Sequence, residues 1–408
     1  MVVMNATSKT MSVAETASLV ALLTSLVAIS IDAMLPALPE IGRNFSVVEN
    51  NNTQLVIGLF LLGNTLGQLL FGPLSDAFGR KPVVVAALIL FLAGCVLSVT
   101  ADSFFMLLIG RILQGVGASG PRTVSVSMVR DLYSGREMAR IMSIAMTIFI
   151  IVPIIAPALG QAIIFFAGWR YIFGLFIGVG LLGLVWVLIR QPESLDAKNR
   201  RPLHCSNIIG DFIAVVRIRS ALGYALAMGT TFASFVGFLS SIQQIFHDTF
   251  GVGKWFPYLF AIMALFTGVA LIYNTRIVMK VGMQKIVEMA MGSGVIISLF
   301  YLVLCIAGQG LGLFGFMVWG ALSFFCIGMC FGNLHALAME PLGEMAGIGA
   351  AVVGFLASLI AILGGIPLGR AYDGTQLPLI GGFVVLGMIG FGLTIWAGRG
   401  SSKNIWNN

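Results

Sequence analysis

The chain has 408 residues, of which 58% are hydrophobic and 10% charged, with a mean hydropathy of +1.01. A soluble domain carries about 25% charged residues, so the composition excludes an ordinary water-soluble globular protein and leaves most of the chain to be solvated by lipid. The net charge of +7 at pH 7 would suit nucleic acid, but the basic residues fall in short segments between apolar runs and form no clustered basic face, which argues against that class of partner.

A membrane-spanning helix needs about 20 apolar residues. Twelve segments qualify, at approximately 17–38, 54–74, 82–101, 104–128, 139–164, 169–189, 220–245, 255–279, 286–307, 311–336, 346–369 and 377–397. The first follows Lys9 without a small-residue cleavage site and reads as a retained helix rather than a signal peptide. "TADS" (100–103) separates the third from the fourth, and "AGWR" (167–170) the fifth from the sixth. The longest polar interval, 190–220, divides the twelve segments six and six, and its later part, "IIGDFIAVVRIRS", has the pattern of a short amphipathic surface helix. The expected fold class is an all-α polytopic membrane protein. Residues 1–189 form an N-terminal six-helix bundle, 190–219 a cytoplasmic linker and 220–408 a C-terminal six-helix bundle.

Orientation follows from Lys and Arg. With the N-terminus inside, 17 of them face the cytoplasm and four (Arg43, Arg170, Lys254 and Arg370) face outward, while Arg111 and Arg122 lie within segment 4. This asymmetry places both termini in the cytoplasm.

Of the sixteen acids, Asp32 alone lies well inside an apolar run. An ionisable group at depth is costly and marks a cavity, a partner or a proton path. From the segment centres, Asp32 lies about 5 Å to the outer side of the midplane and Arg111 about 7 Å to the same side. A direct or water-bridged coupling between them is the expectation; a static pair that only fixes helix packing is the alternative. Four of the five cysteines lie in apolar runs, where they read as small apolar residues. Cys326 and Cys330 are spaced i,i+4 but lack further ligands, and three histidines supply no nucleophile–base or metal set. No metal, no cofactor and no enzyme activity are expected.

After segment 2 comes "GPLSDAFGRKP" (72–82). Gly72 and Gly79 allow a tight turn, Asp76 can approach a helix N-terminus, and Arg80 and Lys81 hold the loop at an anionic leaflet. This loop resembles the signature of the major facilitator superfamily, G-x-L-S/A-D-x-x-G-R-K/R, with every named position present. "DAMLPALP" (32–39) and "GRILQG" (110–115) resemble the helix 1 and helix 4 motifs of twelve-helix drug:proton antiporters. The whole chain resembles the bicyclomycin-resistance and chloramphenicol/florfenicol-exporter (Bcr/CflA-type) branch. The helix 5 antiporter motif is partly kept in "APALGQ" (156–161), with Pro157 and Gly160 in place, Pro153 a turn earlier, and Gln161 departing from the pattern. Arg122 is a second departure, and the C-terminal half holds a faint echo of the loop signature at 274–285.

The resemblance implies proton-gradient-driven efflux of hydrophobic drugs or amphenicol-type antibiotics through a midplane site in a monomer. Its partners are then a small-molecule drug, protons and the lipid bilayer of the bacterial inner membrane. Asp32 and Arg111 are the implied proton-coupling residues, and Gly72, Asp76, Gly79, Arg80 and Lys81 the gating loop. Candidate pocket residues are Met34, Gln114, Met142, Met146, Phe149, Phe232 and Phe235, each of which also suits core or lipid-facing packing. Proton-coupled uptake of a small metabolite is the alternative function.

Overall fold

The computed structural model describes residues 11–47, 50–200 and 205–401; within these, the side chains at 50, 139, 146–147, 149–150, 199, 205–209, 211, 344–347 and 400–401 are not described. Hydrocarbon offers no water to unpaired N–H and C=O groups, so lipid-exposed backbone must close its hydrogen bonds locally. The chain responds with helices: α1 (Val13–Asp32), α2 (Leu38–Asn44), α3 (Leu55–Phe78), α4 (Arg80–Val99), α5 (Phe104–Leu132), α6 (Gly135–Ala167) and α7 (Arg170–Arg190). Then follow α8 (Cys205–Arg217), α9 (Arg219–Gln244), α10 (Phe256–Val281), α11 (Met283–Ile306), α12 (Gly312–Met339), α13 (Ala346–Arg370) and α14 (Leu377–Ser401). Among the described residues eleven spans are long and apolar enough to cross a membrane. The remaining long helix, α6, runs 33 residues, and Ile151–Ala167 is its described apolar part.

Local signals set the ends. Ser12 caps α1 by accepting from the Glu15 amide at 3.1 Å, a Ser-x-x-Glu start. Ser103 does the same for α5 through the Met106 amide at 3.2 Å. Gly79, at φ +102°, turns α3 directly into α4, and Gly282, at φ +85°, turns α10 into α11; only glycine takes such angles without cost. The sequence echo of the loop signature at 274–285 is therefore an echo of backbone geometry. Gly72 is not part of the turn: α3 continues to Phe78 and contains it.

Two sets of helices pack mainly among themselves. In the first, α1 packs on α5, α6 and α7, while α5 carries α3 and α4. In the second, α9 packs on α12, α13 and α14, and α11 on α12 and α14. The sets touch where α3 meets α13, where α6 meets α10, and where the 3-10 turn Leu35–Ala37 meets α9. We call the end that carries Val13 and Ser401 the terminal end and the opposite one the far end. At the far end one buried apolar cluster crosses the seam, from Met34, Leu35 and Leu38 to Phe238, Leu239 and Ile242. At its terminal end the second set has a cluster of its own, with Tyr224, Met228, Ile286, Met329 and Leu334. The seam is thus sealed at the far end.

The first span is not one helix. Pro36 has no N–H to offer the Asp32 carbonyl, so the α-helical ladder stops there. The chain passes through the 3-10 turn Leu35–Ala37, with Pro36 in its first turn, and resumes as α2, with Pro39 in its first turn. Leu35, Ala37, Leu38 and Ile41 beyond the break are all buried, so the buried span continues past Pro36 and Pro39. α6 lies against this break. A Cβ on Gly160 would stand 2.1 Å from the Ala33 carbonyl oxygen, so the retained glycine of the helix 5 motif is what lets the two backbones meet. Replacing Gly160 by Leu is expected to force α6 off α1 and to destabilise the protein by about 3 kcal/mol, seen as a lowered melting temperature and reduced monodisperse yield in detergent.

Candidate functional site

Asp32 ends α1 at the break and is 4% exposed. Arg111, on α5, is fully buried. Its Nε donates to the Val56 carbonyl of α3 at 2.9 Å, Nη2 to the Ser30 carbonyl of α1 at 2.9 Å, and Nη1 to Gln114 Oε1 at 2.6 Å. The Phe60 ring covers the guanidinium plane, 4.5 Å from Cζ, a cation–π contact. The side chain reaches α1 two residues before Asp32. Of the two forms of Asp32–Arg111 coupling expected, the direct ion pair is not formed. The guanidinium's planar fork of donors is instead taken up by two carbonyls and an amide, which makes Arg111 the tie among α1, α3 and α5. Gln114, fully buried beside it, orients that fork.

The described candidate pocket residues sit in several packing contacts. Met34 is fully buried in the sealed seam, just past the break. Phe232 packs edge-on against Phe331 at 4.9 Å, and Phe235 against Phe324 at 5.6 Å, both along the α9–α12 contact. Met142 packs on the cluster of Ala17, Val20 and Ala21. The side chains of Met146 and Phe149 lie outside the described residues. Pro153 and Pro157 fall inside α6, which stays helical through both. Arg122 is half-buried on α5, eleven residues from Arg111 and so on the same helical face about 16 Å away.

The loop after α3 is a charge cluster at the terminal end. Arg80 is 8% exposed and does not reach the lipid surface. Its Nε donates to Asp131 Oδ2 at 2.9 Å and its Nη1 to Ser75 Oγ at 2.7 Å, and it pairs with Asp76 one helical turn back. Asp76 is therefore spent on Arg80, and the N-terminus of α4 is capped from the linker instead. Glu193 accepts the Arg80 amide at 2.9 Å and the Lys81 amide at 3.2 Å. Lys81 Nζ closes the ring on the Leu188 carbonyl of α7 at 2.9 Å. Asp131 and Glu193 escaped the sequence reading because each sits among polar loop residues where a carboxylate is unremarked. The signal was there: an N-terminal Gly-Arg-Lys start without its own Ser, Thr or Asp cap needs an acceptor from elsewhere. Glu193→Ala removes that acceptor and is expected to cost about 1 kcal/mol, measured as a lower melting temperature that Glu193→Asp partly restores.

Comparisons with known proteins agree with this arrangement. Residues 20–365 match the Major Facilitator Superfamily. Over 393 residues, 93% of this chain and 95% of the relative, it is 29% identical to the MFS-type transporter YdgK of Bacillus subtilis. It is 27% identical to a bicyclomycin resistance protein homolog of Haemophilus influenzae, over 88% of this chain and 91% of that protein. With a chloramphenicol resistance protein of Pseudomonas aeruginosa it shares 30% identity over 69% of this chain and 66% of the other. The crystal structure of the human organic anion transporter MFSD10 (TETRAN) superposes with a TM-score of 0.67, covering 94% of this chain and 98% of that one at 18% identity, which speaks to the fold. With the signature loop, the paired Gly79 and Gly282 turns and two helix sets meeting at α3–α13 and α6–α10, the chain belongs to the major facilitator superfamily.

Proposed function

We propose that this transporter exports hydrophobic drugs, amphenicol-type antibiotics among them, across the bacterial inner membrane in exchange for protons. The observation that carries the proposal is Asp32: a buried carboxyl at the point where α1 breaks, two residues past the Ser30 carbonyl that Arg111 holds. Membrane-embedded acids serve substrate and proton paths, and interrupted helices near the midplane are where transporters place their sites. The relatives named for bicyclomycin, chloramphenicol and multidrug resistance support drugs as the cargo.

In the proposed cycle Asp32 takes a proton when its surroundings open at the far end, which faces outward. Drug entering from the terminal, cytoplasmic end favours release of that proton inward, and the buried Arg111 charge offsets the resulting carboxylate. The two helix sets then rock about the site. With Asp32 as the one proton carrier, export of a monocation is electroneutral and export of a neutral drug moves net charge.

Asp32→Asn is expected to reduce drug export driven by an imposed pH gradient in everted vesicles to background, while the protein remains folded in the membrane. Undiminished resistance in cells carrying it would refute the central role, and drug movement in the direction of the protons would indicate uptake symport. Arg111→Lys is expected to lower export about tenfold or more, since one ammonium cannot hold three acceptors on three helices in place.

A further inference from the structure

At the far end, among the described residues, side-chain amides bridge the seam. Asn51, just before α3, donates from Nδ2 to the Arg370 and Tyr372 carbonyls, both at 2.8 Å, across the seam. Gln244, the last residue of α9, donates to Asn51 Oδ1 at 3.3 Å, and its own Oε1 accepts from Gln54 Nε2 at 2.7 Å. Arg370 adds a bond to Asn52 Oδ1 at 2.9 Å. The second-set side of this closure is shaped by a π-helical turn, Ile245–Thr249, that continues α9. Thr249 ties that turn to the Tyr372 hydroxyl at 2.9 Å and to the Gly374 carbonyl at 3.0 Å.

The orientation of every amide in this chain of bonds is dictated by the first. Backbone carbonyls only accept, so the Asn51 nitrogen must face Arg370 and Tyr372 and its oxygen must face Gln244. Gln244 must then present its nitrogen to Asn51 and its oxygen to Gln54, and Gln54 must present its nitrogen to Gln244. The last oxygen, Gln54 Oε1, is 1% exposed as a residue and has no protein donor. It points at Gly369 of α13, where a Cβ would lie 2.8 Å from it and 2.4 Å from Ser240 Cβ. An unsatisfied buried acceptor is costly, and it persists here because reversing Gln54 would set two oxygens against each other at Gln244.

We propose that Asn51, Gln244 and Gln54 form a directional latch that holds the far end shut and whose bonds make and break together when the helix sets part there. The proposal rests on the alternating-access reading above, but its test reads conformation, not transport. Spin labels at Ser46→Cys and Lys254→Cys, on opposite sides of the seam in a background with the five native cysteines replaced by alanine, report the far-end distance by pulsed electron resonance. The closed latch gives a short distance in the parent. Asn51→Ala and Gln54→Ala are each expected to raise the population of the longer distance about tenfold, and the double variant to raise it about tenfold again in total, not a hundredfold, because the bonds are coupled. Asn51→Asp, which keeps the shape but turns oxygens toward two carbonyls, gives the same opening and carries the test if Asn51→Ala does not fold. An unchanged distance distribution in Asn51→Asp, or independent, multiplying effects in the double variant, would overturn the latch. Loss of transport with the latch behaviour intact would count against the export mechanism alone.

Discussion

The missing N–H of Pro36 is the constraint on which the rest of this molecule turns. In a lipid environment a helix that loses a backbone donor must either bury the interruption or line it with polar groups. Here the interruption falls directly after Asp32, and neighbouring elements are shaped to cover it. α6 comes close enough through Gly160 to touch the Ala33 carbonyl, α9 receives the 3-10 turn, and Arg111 grips the last regular turn of α1 through Ser30. The acid is thereby placed at the one point of its span where the backbone is not locked in a continuous ladder.

The surroundings of that break differ in stiffness. On one side Arg111, Gln114 and the Phe60 face bind α1, α3 and α5 into a unit with bonds of 2.6 to 2.9 Å. On the other, the described contacts across the seam to the second set include apolar packing and amide hydrogen bonds. Neutral amide bonds contribute modestly because water competes for both partners once they separate, whereas a fully buried guanidinium stripped of its acceptors is strongly destabilised. The energetic ordering favours parting along the seam over disruption of the Arg111 tie.

Much of this was legible from residue order. The twelve apolar segments, the polar interval before α9 and the glycine turn at 79 follow from hydropathy and backbone sterics, and the structure's helices begin and end within a few residues of most of them. The expected depth match of Asp32 and Arg111 needed only helix rise. What sequence could not supply was partner choice in three dimensions. A depth match cannot tell a carboxylate from the Ser30 and Val56 carbonyls as the acceptor for Arg111, because every residue carries a carbonyl. Nor does a linker glutamate announce that it caps a helix 113 residues earlier. Nor do the prolines at 36 and 39 reveal the re-started span: proline ends a helix at a surface or within a buried stretch, and the burial of Leu38 and Ile41 decides between them.

The Glu193 cap has a mechanical corollary for the connection between the two sets. Glu193, Ser194 and Leu195 are bonded to the α4 start, to Asp131 and to one another, so the beginning of the linker travels with the first set. α8 packs on α9 and α13, so its end travels with the second. Leu195 and Cys205 are ten residues apart in the chain, a separation that at full extension reaches about 35 Å. That length sets an upper limit on how far apart these two anchor points can move.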